Sequence, residues 1–372
     1  MKGLVLLLVA ACSAKSGGTH ATDLGTGSTG TASSGTGSGT AIAAVIDASG
    51  PVLLPPPPAA PAIPLGLPAL DPSLAQRPEA IALGELLFFD PRLSASGRTS
   101  CATCHDPDHG WADLRPRAAT DAGSPNLRRT PAITNLAWEI GGGGFAWDGR
   151  YATLVDLVGA HWKGQLGLAP GDAIAKLGDN PTYAAHFARQ PGAPNPATDA
   201  GGAAAPAIEA LVAYLASRYQ GNAPWDGYEH GLAKVPAGAV AGYIYFTGKA
   251  QCSNCHTPPL YTDGGFHAIG LIALADEGRG RVDPRARGAF ETPSLRGAAL
   301  HAPYFHDGSA ATLEAAIDWH LAGGTGQHAD RSIIDPALVP VALTPEERQD
   351  LILFVRSLSP EQPAPYHRPE LP

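Results

Sequence analysis

The chain has 372 residues and a formal net charge of −9 with basic residues spread along its length, which excludes a nucleic-acid binder built on a concentrated basic face. Hydrophobic residues make up 44% of it, enough for a buried core, and no apolar run approaches the ~20 residues a membrane-spanning helix needs. Gly (45) and Pro (36) are abundant and Cys (5) and Met (1) scarce, so the fold should be loop-rich and its few sulfur atoms informative.

Lys2 and the apolar stretch Gly3 to Ala11 have the form of a short secretory signal, residues 1–11. Val9-Ala10-Ala11-Cys12 resembles a lipobox, in which cleavage before Cys12 leaves a lipid-modified terminus at the outer membrane of a diderm bacterium; the alternative is an ordinary signal with an incidental Cys. Residues 13–50 are nearly all Gly, Ser, Thr and Ala and read as a flexible leash, and 51–68, with the run Pro55 to Pro58, as a stiffer extended stretch. A tether over 12–69 thus leads to a folded body starting near residue 70.

The body reads as helical. Pro78 suits the first position of a helix running to Phe89. Leu154, Leu157, Val158, His161 and Gln165 form one stripe, and Ile208, Leu211, Val212, Leu215 and Tyr219 another. Leu313, Ala316, Ile317 and His320 share a face after Thr312. Thr344-Pro-Glu-Glu347 is a capping box that opens the stripe Leu351, Phe354, Val355, Leu358. No convincing run of alternating strands appears, so the expected fold is all-α, with two cytochrome-c-like haem domains in tandem over 70–228 and 229–365.

Cys101-Ala-Thr-Cys104-His105 and Cys252-Ser-Asn-Cys255-His256 are two copies of C-x-x-C-H, the attachment motif of c-type haem. Two thiols on one turn add to the haem vinyl groups, and the adjacent His reaches the iron. A thioredoxin-like pair expects a βαβ setting that is absent, and a structural zinc site does not explain the His after both pairs. Methionine is the common second ligand of a high-potential haem, but the one Met is Met1, removed with a signal. The choices left are His/His, His/Tyr, His/water or five-coordinate. His320, on an apolar helix face, is the leading candidate ligand, the alternative being a core His bonded to a carbonyl. His161 and Gln165 fall on an inward face where a distal pocket could form. His109 follows Pro107 and reads as a loop residue.

Leu87-Phe-Phe-Asp-Pro-Arg-Leu-Ser through the first motif resembles the bacterial di-haem cytochrome c peroxidase/MauG family. So do Arg129-Thr-Pro, Trp147-Asp-Gly-Arg150, Gly248-Lys-Ala-Gln-Cys252, Thr292-Pro-Ser-Leu-Arg296 and Ala302-Pro-Tyr-Phe-His-Asp-Gly308 with Thr312-Leu-Glu, in family order over about 80–365. The resemblance implies a peroxidatic haem on Cys101, Cys104 and His105, and an electron-accepting haem on Cys252, Cys255 and His256. It puts Trp147 between them as a bridge (the bland reading is a core Trp), Arg296 among the cofactor contacts, and His320 at the second axial position of the second haem. That ligand is Met in typical peroxidases and Tyr in MauG, and a His/His haem should have a lower potential than a His/Met one.

Three departures matter. The family's distal Glu falls near Gln165, which hydrogen-bonds but is no acid or base, leaving His161 as the substitute proton shuttle. The family's switchable distal His, in a loop after the first motif, has no evident counterpart. The inter-domain calcium site uses an Asn side chain where this chain has Arg129, and His301 sits at a backbone-ligand position, so Ca²⁺ is expected weak or absent. The functions in play are a peroxidase reducing hydrogen peroxide with electrons from a small periplasmic cytochrome c or cupredoxin, a MauG-like enzyme oxidising a residue on a partner protein, and a non-enzymatic di-haem electron carrier. Family members often form homodimers, and the sequence leaves that open.

Overall fold

The computed structural model describes residues 52–70, 77–139, 143–271, 276–325 and 330–372, all within one compact unit, Pro51–Pro372. The readings placed on 1–50, including the signal and Cys12, lie outside the described residues. The described structure is mostly helical, and none of its helices is long and apolar enough to cross a membrane.

The chain builds two helical halves. The first holds α1 (Pro78–Phe89), α2 (Leu136–Glu139), α3 (Leu154–Gln165), α4 (Pro170–Ala175), α5 (Pro181–Ala188) and α6 (Ala200–Ala216). The second holds α7 (Pro224–Glu229), α8 (Ala237–Thr247), α9 (Leu313–Leu321) and α10 (Pro345–Ser357). α1 packs along α6 over Leu83, Leu87, Phe88, Leu211 and Tyr214. The backbones touch at Gly84, where a Cβ would strike the Ala210 carbonyl. α8 packs along α10 over Phe246, Leu351, Phe354 and Val355, and Gly242 allows the same approach to the Asp350 carbonyl. Each half therefore closes on a glycine-mediated helix pair, because only a residue without Cβ lets two helix backbones meet that closely.

The capping box forms as read: the Thr344 hydroxyl accepts the Glu347 amide at 3.2 Å, and the Glu347 carboxylate accepts the Thr344 amide at 2.8 Å. α6 stops at Ala216, before Tyr219. One departure from all-α is an antiparallel ribbon, β1 (Phe266–His267) with β2 (Phe290–Glu291), pairing Phe266 with Glu291 and His267 with Phe290.

The outer part of the expected tether is corrected, since residues 54–66 lie against the body. The Arg189 guanidinium donates to the carbonyls of Leu54 (2.7 Å) and Pro55 (2.9 Å), Leu65 and Asn222 exchange two hydrogen bonds, and Arg296 donates to the Gly66 carbonyl. The chain beyond 358 also runs back to the first half. Tyr366 stacks on Phe89 with centroids 5.6 Å apart, and Arg368 pairs with Asp106 and Asp108.

Candidate haem site

Both C-x-x-C-H motifs fold as a single 3-10 turn, Cys101–Thr103 and Cys252–Asn254, closed by the His amide on the first Cys carbonyl (His105 to Cys101, 2.9 Å; His256 to Cys252, 2.8 Å). The two cysteines and the His of each motif border the same cavity. All four thiols are free and half-buried, so no disulfide competes for them. Burial pushes the Cys101 and Cys252 thiols up to about 12, so neither is a reactive thiolate.

His105 bonds the Trp111 carbonyl through Nδ1 (3.3 Å) and His256 bonds the Tyr261 carbonyl through Nδ1 (3.0 Å). That partner fixes the tautomer with Nε2 as the lone-pair nitrogen, the arrangement of a metal-ligating imidazole. Burial, and next the nearby His161, pushes His105 down to about 4; burial and His320 do the same to His256. Both rings are therefore neutral at pH 7.

One continuous cavity of about 820 Å³ is bordered by both motifs and by His161, Gln165, Trp147 and His320. Its walls are predominantly apolar, and four thiols plus two outward-bonded imidazoles open on it. This donor set fits two thioether-tethered haems, each with a His on its iron.

On α9, capped by Thr312, His320 bonds the Ala316 carbonyl through Nδ1 (2.8 Å), with its ring 6.4 Å from that of His256. On α3, capped by Thr153, His161 bonds the Leu157 carbonyl in the same way (2.9 Å). Burial lowers the pKa of both rings, and both residues border the cavity. The Gln165 amide is held by Asn126 Nδ2 at 2.9 Å. Trp147 is half-buried between the halves: Nε1 donates to the Arg129 carbonyl at 3.0 Å, and its own carbonyl accepts the Glu291 amide at 2.9 Å. His109 sits on a surface turn with Nδ1 on Asp106.

Arg296 borders the cavity, but its guanidinium is committed to protein: Nη1 to the Asp226 carboxylate, Nε to the Pro259 carbonyl at 2.6 Å, Nη2 to the Gly66 carbonyl. It thus ties the loop behind His256 to the docked 54–66 segment.

Calcium does not fit where the family resemblance would put it. The buried Arg129 guanidinium donates to the Pro303 and Asp113 carbonyls, so a fixed positive charge already occupies the oxygen ligands a hard cation would need. Burial holds Arg129 down to about 10, still protonated at neutral pH, and the His301 Nδ1 beside it is buried without a partner.

Sequence reading passed over two features. Arg128 bridges Asp148 of the first half (2.9 Å) and Asp276 of the second (2.6 Å), a pairing separated by 148 residues that no local pattern signals. Glu291, beside Trp147, has its carboxyl pushed up to about 7 by burial. A third signal was readable: Trp147-Asp-Gly and His306-Asp-Gly each precede Thr-Leu at the same spacing.

Residues 78–234 match the family described as di-haem cytochrome c peroxidase. The chain is 38% identical over 302 residues to the methylamine utilization protein MauG of Methylorubrum extorquens, covering 79% of this chain and 82% of that one. It is 31% identical over 360 residues to the cytochrome-c peroxidase IdrP1 of Denitromonas iodatirespirans, covering 85% and 90%. The crystal structure of a MauG-like protein associated with microbial copper homeostasis superposes with a TM-score of 0.67 at 26% identity, over 81% of this chain and 94% of that one. Two thioether-ready turns on one cavity, and relatives of this similarity over most of their length, make the chain a member of the di-haem cytochrome c peroxidase/MauG family, carrying two c-type haems.

Proposed function

We propose that the protein is a peroxidase that reduces hydrogen peroxide to water with electrons from a small donor protein, a cytochrome c or cupredoxin. The observation that carries this reading is the single cavity bordered by both haem motifs, with Trp147 hydrogen-bonded to each half between them. The haems supply the iron at which peroxide is bound and reduced and the store for incoming electrons. His105 would hold the first iron and His256 with His320 the second, in two cytochrome-c-like domains over 70–228 and 229–365. His161, kept neutral by burial, has Nε2 available to take the first peroxide proton and return it to the leaving oxygen. Gln165, braced by Asn126, orients that exchange through hydrogen bonds alone. Trp147 carries electrons between the halves.

The test is peroxide-dependent oxidation of a reduced cytochrome or cupredoxin by the holoprotein. His161→Ala and Trp147→Phe should each lower turnover at least tenfold with both haems still attached, and unchanged turnover in either removes the role given to that residue. A MauG-like activity on a partner protein is the second reading, favoured by the similarity to methylamine utilization MauG and by Gln165 where the family has Glu. No activity with any reduced donor, together with peroxide-dependent modification of a partner protein, selects it.

The export reading extends this proposal: a lipid at Cys12 and a leash over 13–50 would hold the enzyme at a membrane facing the periplasm. Cys12→Ser should then release it from the membrane fraction, and an unchanged membrane-bound fraction rejects the anchor.

A further inference from the structure

We infer that His161 is a second axial ligand of the first haem iron in the resting protein, the counterpart in the first half of His320 in the second. The inference rests on an internal repeat. Phe145 to Leu154 and Tyr304 to Leu313 share Asp-Gly and Thr-Leu at the same spacing. Their backbones follow the same path: Ala146 and Phe305 both have φ 69°, Gly149 has φ 64° and Gly308 φ 70°, and the bridge Phe145–Tyr151 matches Tyr304–Ala310. A non-glycine residue at positive φ is uncommon, so its recurrence at matching positions marks one motif built twice. Each motif ends on a threonine that caps the next helix through the amide three residues on, Thr153 to Asp156 and Thr312 to Ala315.

The same number of residues past its cap, each helix presents one histidine, His161 and His320. Both spend Nδ1 on the carbonyl four residues earlier, at 2.9 and 2.8 Å, and both border the cavity. A helical His often bonds that carbonyl, and alone this would mean little. Here it leaves Nε2 of each ring for the cavity, with a carbonyl partner behind it that holds a metal-ligating imidazole in place. The proximal side is duplicated too, His105 on the Trp111 carbonyl and His256 on the Tyr261 carbonyl. Two copies of one frame, with the same donor atom at the same place, bind the same group alike.

The consequence deepens the peroxidase reading, on which it rests. With haem in place, a His161 held to the first iron would close the site at rest, and its Nε2 would have to leave the iron for peroxide to take that position. The exchange would move no electrons, and the freed Nε2 would then be available for peroxide's proton. The residue that closes the site would be the one that serves it.

The test is electron paramagnetic resonance and visible spectroscopy of the ferric holoprotein, with haem content measured alongside. The wild type should show two low-spin haems. His161→Ala should turn one haem equivalent high-spin, free imidazole should return it to low spin, and His320→Ala should affect the other haem. His161→Met, which keeps an apolar bulk and a ligating atom, should replace imidazole ligation of that haem by thioether ligation, and covers the case in which the alanine variant folds poorly. A wild type with one high-spin haem that His161→Ala leaves unchanged would overturn the inference. If that protein still turns over peroxide, the peroxidase reading survives with His161 over an open iron. If the haem is high-spin and inert to peroxide, both fall.

Discussion

Arg129 does at one residue what a bound ion would do from outside the chain. Its amide donates to the His306 carbonyl at 2.8 Å, its guanidinium to the Pro303 and Asp113 carbonyls, and its carbonyl accepts Trp147 Nε1. One covalently fixed charge thereby joins the second half's 303–306 loop to the first half and holds the tryptophan between the motifs. Chelators and added Ca²⁺ should both leave the holoprotein's melting temperature and visible spectrum unchanged, and a Ca²⁺-dependent shift in either would contradict the assignment. Arg129→Ala should destabilise by about 2–6 kcal/mol, since it strands two buried carbonyls at roughly 1–3 kcal/mol each. His267 gives a residue-level dependence on pH. Its folded pKa is raised to about 10, most by the Cys255 sulfur, then by Asp335 (2.7 Å) and Asp263 (2.9 Å), and burial works against this. With haem on Cys255 the sulfur is an uncharged thioether, leaving the two carboxylates to hold the proton. The stabilisation is full below the unfolded value of about 6.5 and fades as pH rises through the folded value. His267→Gln should therefore lower the melting temperature at pH 6 and converge on wild type in the alkaline limb.

At the scale of elements, the segment after α10 behaves as part of the first half. Tyr366 stacks on Phe89, meets Trp111 edge-on at 4.9 Å, and shares a 2.6 Å hydrogen bond with Tyr214. Trp111 in turn offers the carbonyl that orients His105. Tyr366→Ala should cost about 2–4 kcal/mol, at or below the range for truncating a core aromatic because the ring is half-buried. It should also perturb the spectrum of the first haem more than that of the second, and an equal change in both would deny the tail its local role. The sequence was readable where interactions are short in range. The Thr344 box, Pro78 and the C-x-x-C-H turns need only their neighbours, and each forms as expected. Leu54 to Gly66 read as tether because proline-rich composition carries no periodicity, and their partners Arg189 and Arg296 lie more than a hundred residues away. The β1–β2 ribbon, two residues per strand, is too short for alternation to register. His161 was legible as an inward-facing residue, and the shared Asp-Gly and Thr-Leu spacing already aligned it with His320; the matching positive-φ backbone is the part that only the fold displays.

At the scale of the molecule, what holds two helical halves at one geometry decides whether two haems can work together. Arg128 sits at that junction. Its guanidinium is bidentate to Asp276, paired with Asp148, and lies over the Phe290 ring. Asp148 is fully buried and Asp276 2% exposed, so each charge needs an answering cation: Arg128 serves both, and Asp148 has a second in Arg150 at 3.0 Å. Burial raises the Asp276 carboxyl, yet the Arg128 hydrogen bonds outweigh it and hold the pKa below the usual range. A depressed carboxylate stabilises the fold above its unfolded pKa, and that contribution is lost as pH falls through the folded one. Arg128→Gln removes the shared cation and leaves the buried Asp276 carboxylate uncompensated, a change that costs about 3–5 kcal/mol. The loss should be largest near pH 7 and shrink in acid, where Asp276 in the variant protonates and sheds the unanswered charge. Because Trp147 directly precedes Asp148, the same variant should slow electron exchange between the haems while leaving each haem's ligation spectrum intact. Slowed exchange with unchanged spectra assigns Arg128 to the relation between the halves. Unchanged exchange in the destabilised variant would mean that Arg129 and the β2 contact to Trp147 suffice to hold the bridge.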